Sequence, residues 1–296
     1  MATASRSGAQ DPSGPTSLDS LVQRTLLPRP RTKRSAPQGA GLAVVTGGSS
    51  GIGQEAARLL ARRGHPTVLI ARRRDALNDL ALELSALAPS MALALDVCDD
   101  QATQATFGQL VHDRGPVRVL VNCAGSGLYS PFLKHEPTDL RRMMEIHYFA
   151  AATAIRSVLP GMLDQRAGHV VNIGSMSTKM GPWGHSGYTA AKAALTALTQ
   201  TLAADYASSG VHFSVVHPGI IDTPYFDTPD LQPLRQQLRR HLINPERVAR
   251  TVVRLLDRPR LEVCVPHHYR LVDAIKALHP TMLHHLVASH SRPTKC

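Results

Sequence analysis

Thr46-Gly47-Gly48-Ser49-Ser50-Gly51-Ile52-Gly53 is the stretch on which the fold turns. Before it stands a short apolar run, Gly41-Leu42-Ala43-Val44-Val45-Thr46, which reads as a strand. After it, residues 52–63 place Ile52, Ala56, Leu59 and Leu60 at helical spacing on one face. A glycine-rich turn between a strand and a helix can cradle a diphosphate. The glycines let the backbone approach the phosphates, and the N–H groups and dipole of the helix N-terminus favour negative charge. The spacing is not G-x-G-x-x-G, and the Lys-Ser/Thr pair of a P-loop is missing.

Outward from this turn, strands and helices alternate. Strands are expected at 67–71, 91–95, 117–121, 169–173, 211–216 and 261–265. Between them, helices are expected from Asp75 as N-cap to about Leu87, over about 100–112, over 138–159 with a stop near Pro160-Gly161, and over about 187–208. A further helix starts at Asn244-Pro245-Glu246, with a cap and a first-turn proline. Near-continuous Val/Ile/Leu strands separated by helices predict an α/β fold. Its doubly wound, mostly parallel seven-stranded sheet would span about 40–265 and be covered on both faces.

The chain has 296 residues, 43% of them hydrophobic, so a sizeable core can be buried. No apolar run approaches the ~18 residues a bilayer requires, and no secretory signal opens the chain. The net charge of +11 first suggests a polyanion partner. Its location argues otherwise: residues 1–39 carry +4, residues 266–296 carry +3, and the body between them carries +4. Residues 1–39 are rich in Ser, Pro, Gly and Arg and read as a disordered basic tail. Within it Leu18, Leu21, Val22, Leu26 and Leu27 can form a short docking helix, and Asp11 and Asp19 argue against a transit peptide. Cys98, Cys123, Cys264 and Cys296 show neither C-x-x-C nor zinc-ligand spacing, so reduced thiols in a cytoplasmic protein without metal are expected.

Two more motifs carry chemistry. The second strand closes on Ala71-Arg72-Arg73-Arg74, with Arg72 lying 19 residues after Gly53. At this place an acidic residue would bond ribose hydroxyls. A guanidinium instead pairs with a 2′-phosphate, which favours NADP(H) over NAD. Tyr188-Thr189-Ala190-Ala191-Lys192 puts a phenol and an ammonium one helical turn apart. A nearby cation favours the phenolate and readies the phenol to exchange a proton with a carbonyl or alcohol oxygen.

Together these residues resemble the short-chain dehydrogenase/reductase family over about 41–265. Its glycine motif is complete, its N-x-A-G segment appears as Asn122-Cys123-Ala124-Gly125, and Ser175 stands 13 residues before Tyr188. Its P-G segment appears as Pro218-Gly219, followed by Ile220, Ile221, Asp222 and Thr223. The resemblance implies a single Rossmann domain, a small-molecule carbonyl or alcohol substrate, and a homodimer or homotetramer. It also implies roles. Thr46, Gly47, Ser49, Ser50, Gly51, Ile52 and Gly53 would form the diphosphate turn, and Arg72 and Arg73 would meet the 2′-phosphate. Asp96 and Val97 would contact adenine, and Asn122 and Ala124 would border the adenosine ribose and stabilise the sheet. Ser175 would hold the substrate oxygen, and Tyr188 would be the acid/base. Lys192 would lower its pKa and hold the nicotinamide ribose. Pro218, Gly219, Ile221 and Thr223 would border the carboxamide end.

One departure stands out. His147 occupies the place of the family's Asn in the fourth helix, which supports a water and proton relay to the Lys. An imidazole can continue that relay, with added pH sensitivity near neutrality, or simply cap a backbone carbonyl. Leu128, Tyr129, Phe132, Met176, Met180, Trp183, Tyr225 and Phe226 flank the site, and they imply an apolar, fairly bulky substrate. The extension 266–296 holds Leu271, Val272, Ile275, Leu278, Leu283 and Leu286 among basic residues and six histidines. It reads as an amphipathic segment that packs on its own domain, with peripheral membrane contact as the alternative. The expected activity is an NADP(H)-dependent oxidoreductase. The competing reading is an NADP(H)-binding regulator or scaffold with little turnover. Without an aromatic-interleaved basic patch or a recognition-helix motif, no nucleic-acid partner is expected.

Overall fold

The computed structural model describes residues 40–227 and 231–291. The expected N-terminal tail and its docking helix, and Cys296, lie outside the described residues, as does the side chain of Tyr225. Among the described residues there are seven strands: β1 Ala43–Thr46, β2 Thr67–Ala71, β3 Ser90–Ala94, β4 Val119–Asn122, β5 Gly168–Ile173, β6 Val211–Pro218 and β7 Glu262–Val265. They form one sheet in the order β3-β2-β1-β4-β5-β6-β7. Every neighbouring pair is parallel, where the sequence reading allowed a mixed sheet.

The α-helices in chain order are α1 Gly51–Arg62, α2 Arg74–Ser85, α3 Asp100–Arg114, α4 Pro137–Met144 and α5 Ala150–Asp164. They are followed by α6 Ser177–Met180, α7 Ser186–Asp205, α8 Gln232–Gln237, α9 Pro245–Asp257, α10 Leu271–Leu278 and α11 Pro280–Ser291. Parallel strands need crossover connections, and the helices that make them cover both faces of the sheet. On one face Leu60 of α1, Leu77 and Leu84 of α2, and Val248 and Val252 of α9 pack on Ala43, Val45, Leu69 and Val171. On the other, Phe107 of α3 and Ile155, Val158 and Met162 of α5 pack on Val44, Val68, Leu120 and Val170. Adjacent strand residues thus feed opposite cores, as a period of two requires.

Two helix boundaries differ from expectation. α2 begins at Arg74 with Arg73 in the N-cap position, so Asp75 lies in the first turn, where its carboxylate complements the helix dipole. The helix expected over 138–159 is three pieces. α4 passes into a π turn at Glu145–Phe149, and α5 then runs through Pro160 to Asp164. Pro160 removes one backbone donor, yet Leu159 and Met162 around it are buried, and their packing holds the helix together.

The C-terminal ends of β1, β4 and β5 put Thr46, Asn122 and Asn172 in one row across the sheet. The strand order reverses at β1/β4, and a crevice at such a switch point is where ligands bind in open parallel sheets.

Candidate active site

The glycine turn lies at this switch point. Gly47 has φ +68°, and a Cβ there would stand 2.7 Å from the amide nitrogen of Ala124. Gly51 has φ +55°, and a Cβ would press on the Thr223 methyl at 2.8 Å. Only glycine meets both the dihedral and the space, so the turn stays open above the α1 N-terminus. Ser50 makes no side-chain cap, so no hydroxyl claims the first-turn amides. Ile52 packs against the core from that first turn. This bare cradle of amides fits the diphosphate of a dinucleotide. Thr46 has a different part: its Oγ1 accepts from the amides of Cys123 (3.2 Å) and Ala124 (3.3 Å), tying β1 to the loop after β4.

Past the end of β2, the Arg73 guanidinium bonds the Ser49 carbonyl at 3.2 Å and its Oγ at 3.1 Å, which brings positive charge over the glycine turn. Arg72 and Asp96 line a cleft with Arg141 and Arg142 of α4. The Asp96 carboxylate accepts from the Cys98 amide at 3.1 Å. Val97 is buried and, with Ala124, lines the floor between β4 and α5. On the opposite wall Pro218 accepts from the Met176 amide (2.9 Å), and Gly219 donates to Val265 (2.8 Å). Ile221 forms an isolated parallel bridge with Ile243, placing Thr223 against Gly51.

Ser175, Tyr188 and Lys192 come together between β5 and α7. Ser175 Oγ accepts from the Ser177 amide at 3.0 Å, and a side-chain hydrogen bond joins it to Tyr188. The Lys192 ammonium donates to the Ile173 carbonyl at 2.7 Å and sits 5.8 Å from the centre of the Tyr188 ring. Both side chains are deeply buried. Burial pushes the Tyr188 phenol up to about 12, against the hydrogen bond from Ser175, and pulls Lys192 down to about 8. Desolvation dominates the phenol, and the Ser175 hydrogen bond, not the Lys192 ammonium expected to do so, is what opposes it, so Tyr188 holds its proton at neutral pH.

His147 enters the site through the π turn, whose wider winding sets the imidazole inward and leaves Phe149 half exposed. Its Nε2–H donates to the Ser126 carbonyl at 2.9 Å, and its ring edge meets Tyr188 with centroids 5.1 Å apart. The donation fixes the tautomer and leaves Nδ1 bare. Burial holds this ring well below the ordinary histidine range, so the expected pH sensitivity near neutrality does not arise. His147, Asn122 and Lys192 line a small internal cavity of about 10 Å³, the size of one water. Buried His147 Nδ1 and Asn122 Oδ1 have no hydrogen-bond partner among the described residues.

The apolar wall is partly as expected. Tyr129 meets Trp183 edge-on at 5.3 Å, while Met176 and Phe226 are buried in the core and Phe132 is largely exposed. The sequence reading passed over His185. It bridges Tyr129 (5.0 Å) and Tyr188 (5.9 Å), and its Nδ1–H donates to the Trp183 carbonyl at 3.1 Å. Its position three residues before Tyr188, just ahead of α7, is the one signal that marked it. Among the described residues, no group of three or more metal-ligating side chains occurs, and no helix is long and apolar enough to cross a membrane.

Residues 41–232 match the family model described as short chain dehydrogenase. Carbonyl reductase family member 4 of Xenopus laevis is 31% identical over 240 residues, 79% of this chain and 97% of that protein. An alcohol dehydrogenase of the archaeon Thermococcus sibiricus, solved with 5-hydroxy-NADP, is 25% identical with a TM-score of 0.68, covering 76% of this chain and 95% of that one. A short chain dehydrogenase/reductase of Burkholderia phymatum, solved with NAD, shares the fold at a TM-score of 0.75 and 24% identity, over 88% of this chain and all of the other.

Proposed function

Because the chain belongs to the short-chain dehydrogenase family, we propose that it is an NADPH-dependent oxidoreductase acting on an apolar, fairly bulky carbonyl or alcohol. The observation that carries the reading is the buried contact of Ser175, Tyr188 and Lys192 beside the glycine turn. Held by the glycine turn and by Arg72 and Arg73, a nicotinamide cofactor would supply the hydride for a carbonyl or accept it from an alcohol. Ser175 Oγ, held by the Ser177 amide, turns its own proton outward and orients the substrate oxygen. Tyr188 supplies the proton to that oxygen. At neutral pH its phenol is protonated, which is the form that carbonyl reduction requires. Lys192 is fixed by Ile173 beside Tyr188 and places a cation against the developing phenolate. Arg72 and Arg73 lie where a 2′-phosphate would meet the second strand, which is the support for NADPH over NADH.

The test is a screen of apolar ketones, aldehydes and alcohols with both cofactors, including steroids, retinoids and acyl chains. NADPH is expected to bind more tightly than NADH, and Arg72→Asp to reverse that order. Tyr188→Phe is expected to lower kcat by about 10²–10⁴-fold with the NADPH affinity unchanged. Equal rates for Tyr188→Phe and the unaltered enzyme would remove the mechanism. Tight NADPH binding without turnover across the screen would instead favour a regulatory or scaffold role.

A further inference from the structure

α4 carries two stripes of opposite character. Thr138, Arg141, Arg142 and, just past the helix, Glu145 fall at i, i+3, i+4 and i+7, which is one helix face. Leu140 and Met143 form the other stripe, and both crowd Gly187 at the start of α7. A capping box closes the first turn, in which the Asp139 carboxylate accepts from the Glu136 amide at 3.1 Å. Asp139 is thereby committed to the cap rather than to Arg142, three residues on. Cap and packing fix the helix without using its polar stripe.

That stripe is one wall of a cleft of about 340 Å³. Arg72, past the end of β2, and Asp96 and Cys98, past the end of β3, line the other side. Ile146 lines both this cleft and the small cavity that holds Asn122, Ala124 and His147, so the cleft adjoins the crevice at the switch point. Three guanidiniums thus share one concavity with two carboxylates. The Asp96 carboxylate accepts from the Cys98 amide, and burial, with Asp96 and Glu145, pushes the Cys98 thiol up to about 11, so the thiol adds no charge.

Among the described residues, Arg72, Arg141 and Arg142 make no ion pair and no side-chain hydrogen bond, although Glu145 lies within helical reach of both α4 arginines. Arg58, Arg63, Arg235 and Arg250, elsewhere on the surface, all meet carboxylates. Like charges gathered in one cleft repel, and the cleft walls focus their potential. An oxyanion of two charges relieves that repulsion, and the planar forks of guanidinium match its oxygens. Arg73 cannot take this part in the same way, since its guanidinium is spent on Ser49 over the glycine turn.

We propose that Arg141 and Arg142 of α4 are specificity-determining residues that face Arg72 across the cleft and grip the 2′-phosphate of NADPH from the opposite wall. This rests on the NADPH reading above, and the experiment makes the two fail differently.

Dissociation constants of NADPH, NADH, 2′,5′-ADP and 5′-AMP are measured on the full chain by titration calorimetry at fixed ionic strength, without turnover. Arg141→Gln/Arg142→Gln keeps good helix formers at both positions. It is expected to weaken NADPH and 2′,5′-ADP by about tenfold to a hundredfold, and NADH and 5′-AMP by less than about twofold. The retained NADH affinity shows that the variant is folded. Arg141→Lys/Arg142→Lys, which keeps the charge and loses the forks, is expected to fall between the unaltered protein and the Gln pair. An equal loss for NADPH and NADH overturns the proposal, because the arginines then serve the part that both dinucleotides share. If the unaltered protein prefers NADPH, and Arg72→Gln removes the preference while the α4 pair leaves it intact, the proposal alone falls. If the unaltered protein binds NADH as tightly as NADPH, the cofactor reading falls with it. Inorganic phosphate separates the two sources of the anion: a cleft that holds it as tightly as 2′,5′-ADP is a site for free phosphate, and this too overturns the proposal.

Discussion

At the scale of the residue, Lys192 ties catalysis to stability. Burial brings its ammonium down to about 8 from an ordinary 10.5. Between those values the unfolded chain holds a proton that the folded protein has released, so stability rises with pH across about 8 to 10.5. Below about 8 the cofactor-free protein carries a buried charge at a cost of about 3 kcal/mol, from ~1.4 kcal/mol per pKa unit. Lys192→Met removes that cost along with the activity. Its thermal midpoint at pH 7 is expected to exceed that of the unaltered protein by several degrees, at ~2–4 °C per kcal/mol. The gap should close as the pH approaches 10. A gap that does not vary with pH would show that the ammonium is not desolvated. Tyr188, pushed up to about 12, acts in the opposite sense and only above its ordinary 10, where the stability from its retained proton is lost. His147 makes a sharper case, because its ring serves as a neutral hydrogen-bonding group and not as a titrating one. His147→Asn is expected to keep kcat within about tenfold and to leave its pH profile between 5.5 and 8 unchanged in shape, since an amide also donates and accepts. His147→Phe, which strands the Ser126 carbonyl, is expected to lose far more. A kcat limb near 6.5 that disappears in His147→Asn would refute the neutral assignment.

At the scale of the element, the row Thr46, Asn122 and Asn172 joins three strands with side chains as well as backbone. Asn122 Nδ2 donates to Asn172 Oδ1 at 2.8 Å, and Asn172 Nδ2 donates to Thr199 Oγ1 of α7 at 2.8 Å. Asn172→Ala therefore strands a buried amide on β4 and a hydroxyl acceptor on α7. It is expected to cost about 2–4 kcal/mol, read as a lower urea midpoint at unchanged slope. The double variant Asn122→Ala/Asn172→Ala should cost less than the sum of the two singles, because the stranded amide is gone. The strands and the glycine turn that lead to this row were legible in the sequence, because apolar runs and glycine spacing are local signals. Tyr188 and Lys192 were legible for the same reason, lying one turn apart on a single helix. The π turn at Glu145–Phe149 was not, since a wider winding leaves the apolar period almost intact and shows only when His147 finds Ser126. Nor was the passage of α5 through Pro160, where propensity yields to the packing of Met162.

At the scale of the whole molecule, the +11 charge resolves by location, with +7 of it outside the body. Arg72 and Arg73 of the body's excess lie beside the glycine turn, and the C-terminal helices pack beyond β7 and α6. Lys276 of α10 reaches the Thr178 carbonyl at 3.5 Å, Asp273 pairs with Lys179 at 3.2 Å, and Ser291 Oγ of α11 accepts from the Trp183 amide at 3.1 Å. Tyr269, just before α10, packs on Gly219. Three of the four contacts fall on the segments that carry Ser175 and the aromatic wall, and the fourth falls on the turn after β6, which predicts that the extension shapes the substrate side of the cleft. α10 and α11 are otherwise exposed along Leu271, Leu278 and Met282, while Leu283 is buried and anchors α11. Leu283→Asp puts a charge into that anchor, which releases the helices without touching the sheet. Hydrogen exchange should then rise over 266–291 and stay unchanged in β1, β4 and β5. KM for a bulky apolar substrate should rise by more than the Kd for NADPH, because the glycine turn and Arg72 make none of those four contacts and Gly219 makes only one. If KM for small and bulky substrates stays the same while exchange over 266–291 increases, the extension packs on the domain without shaping the cleft.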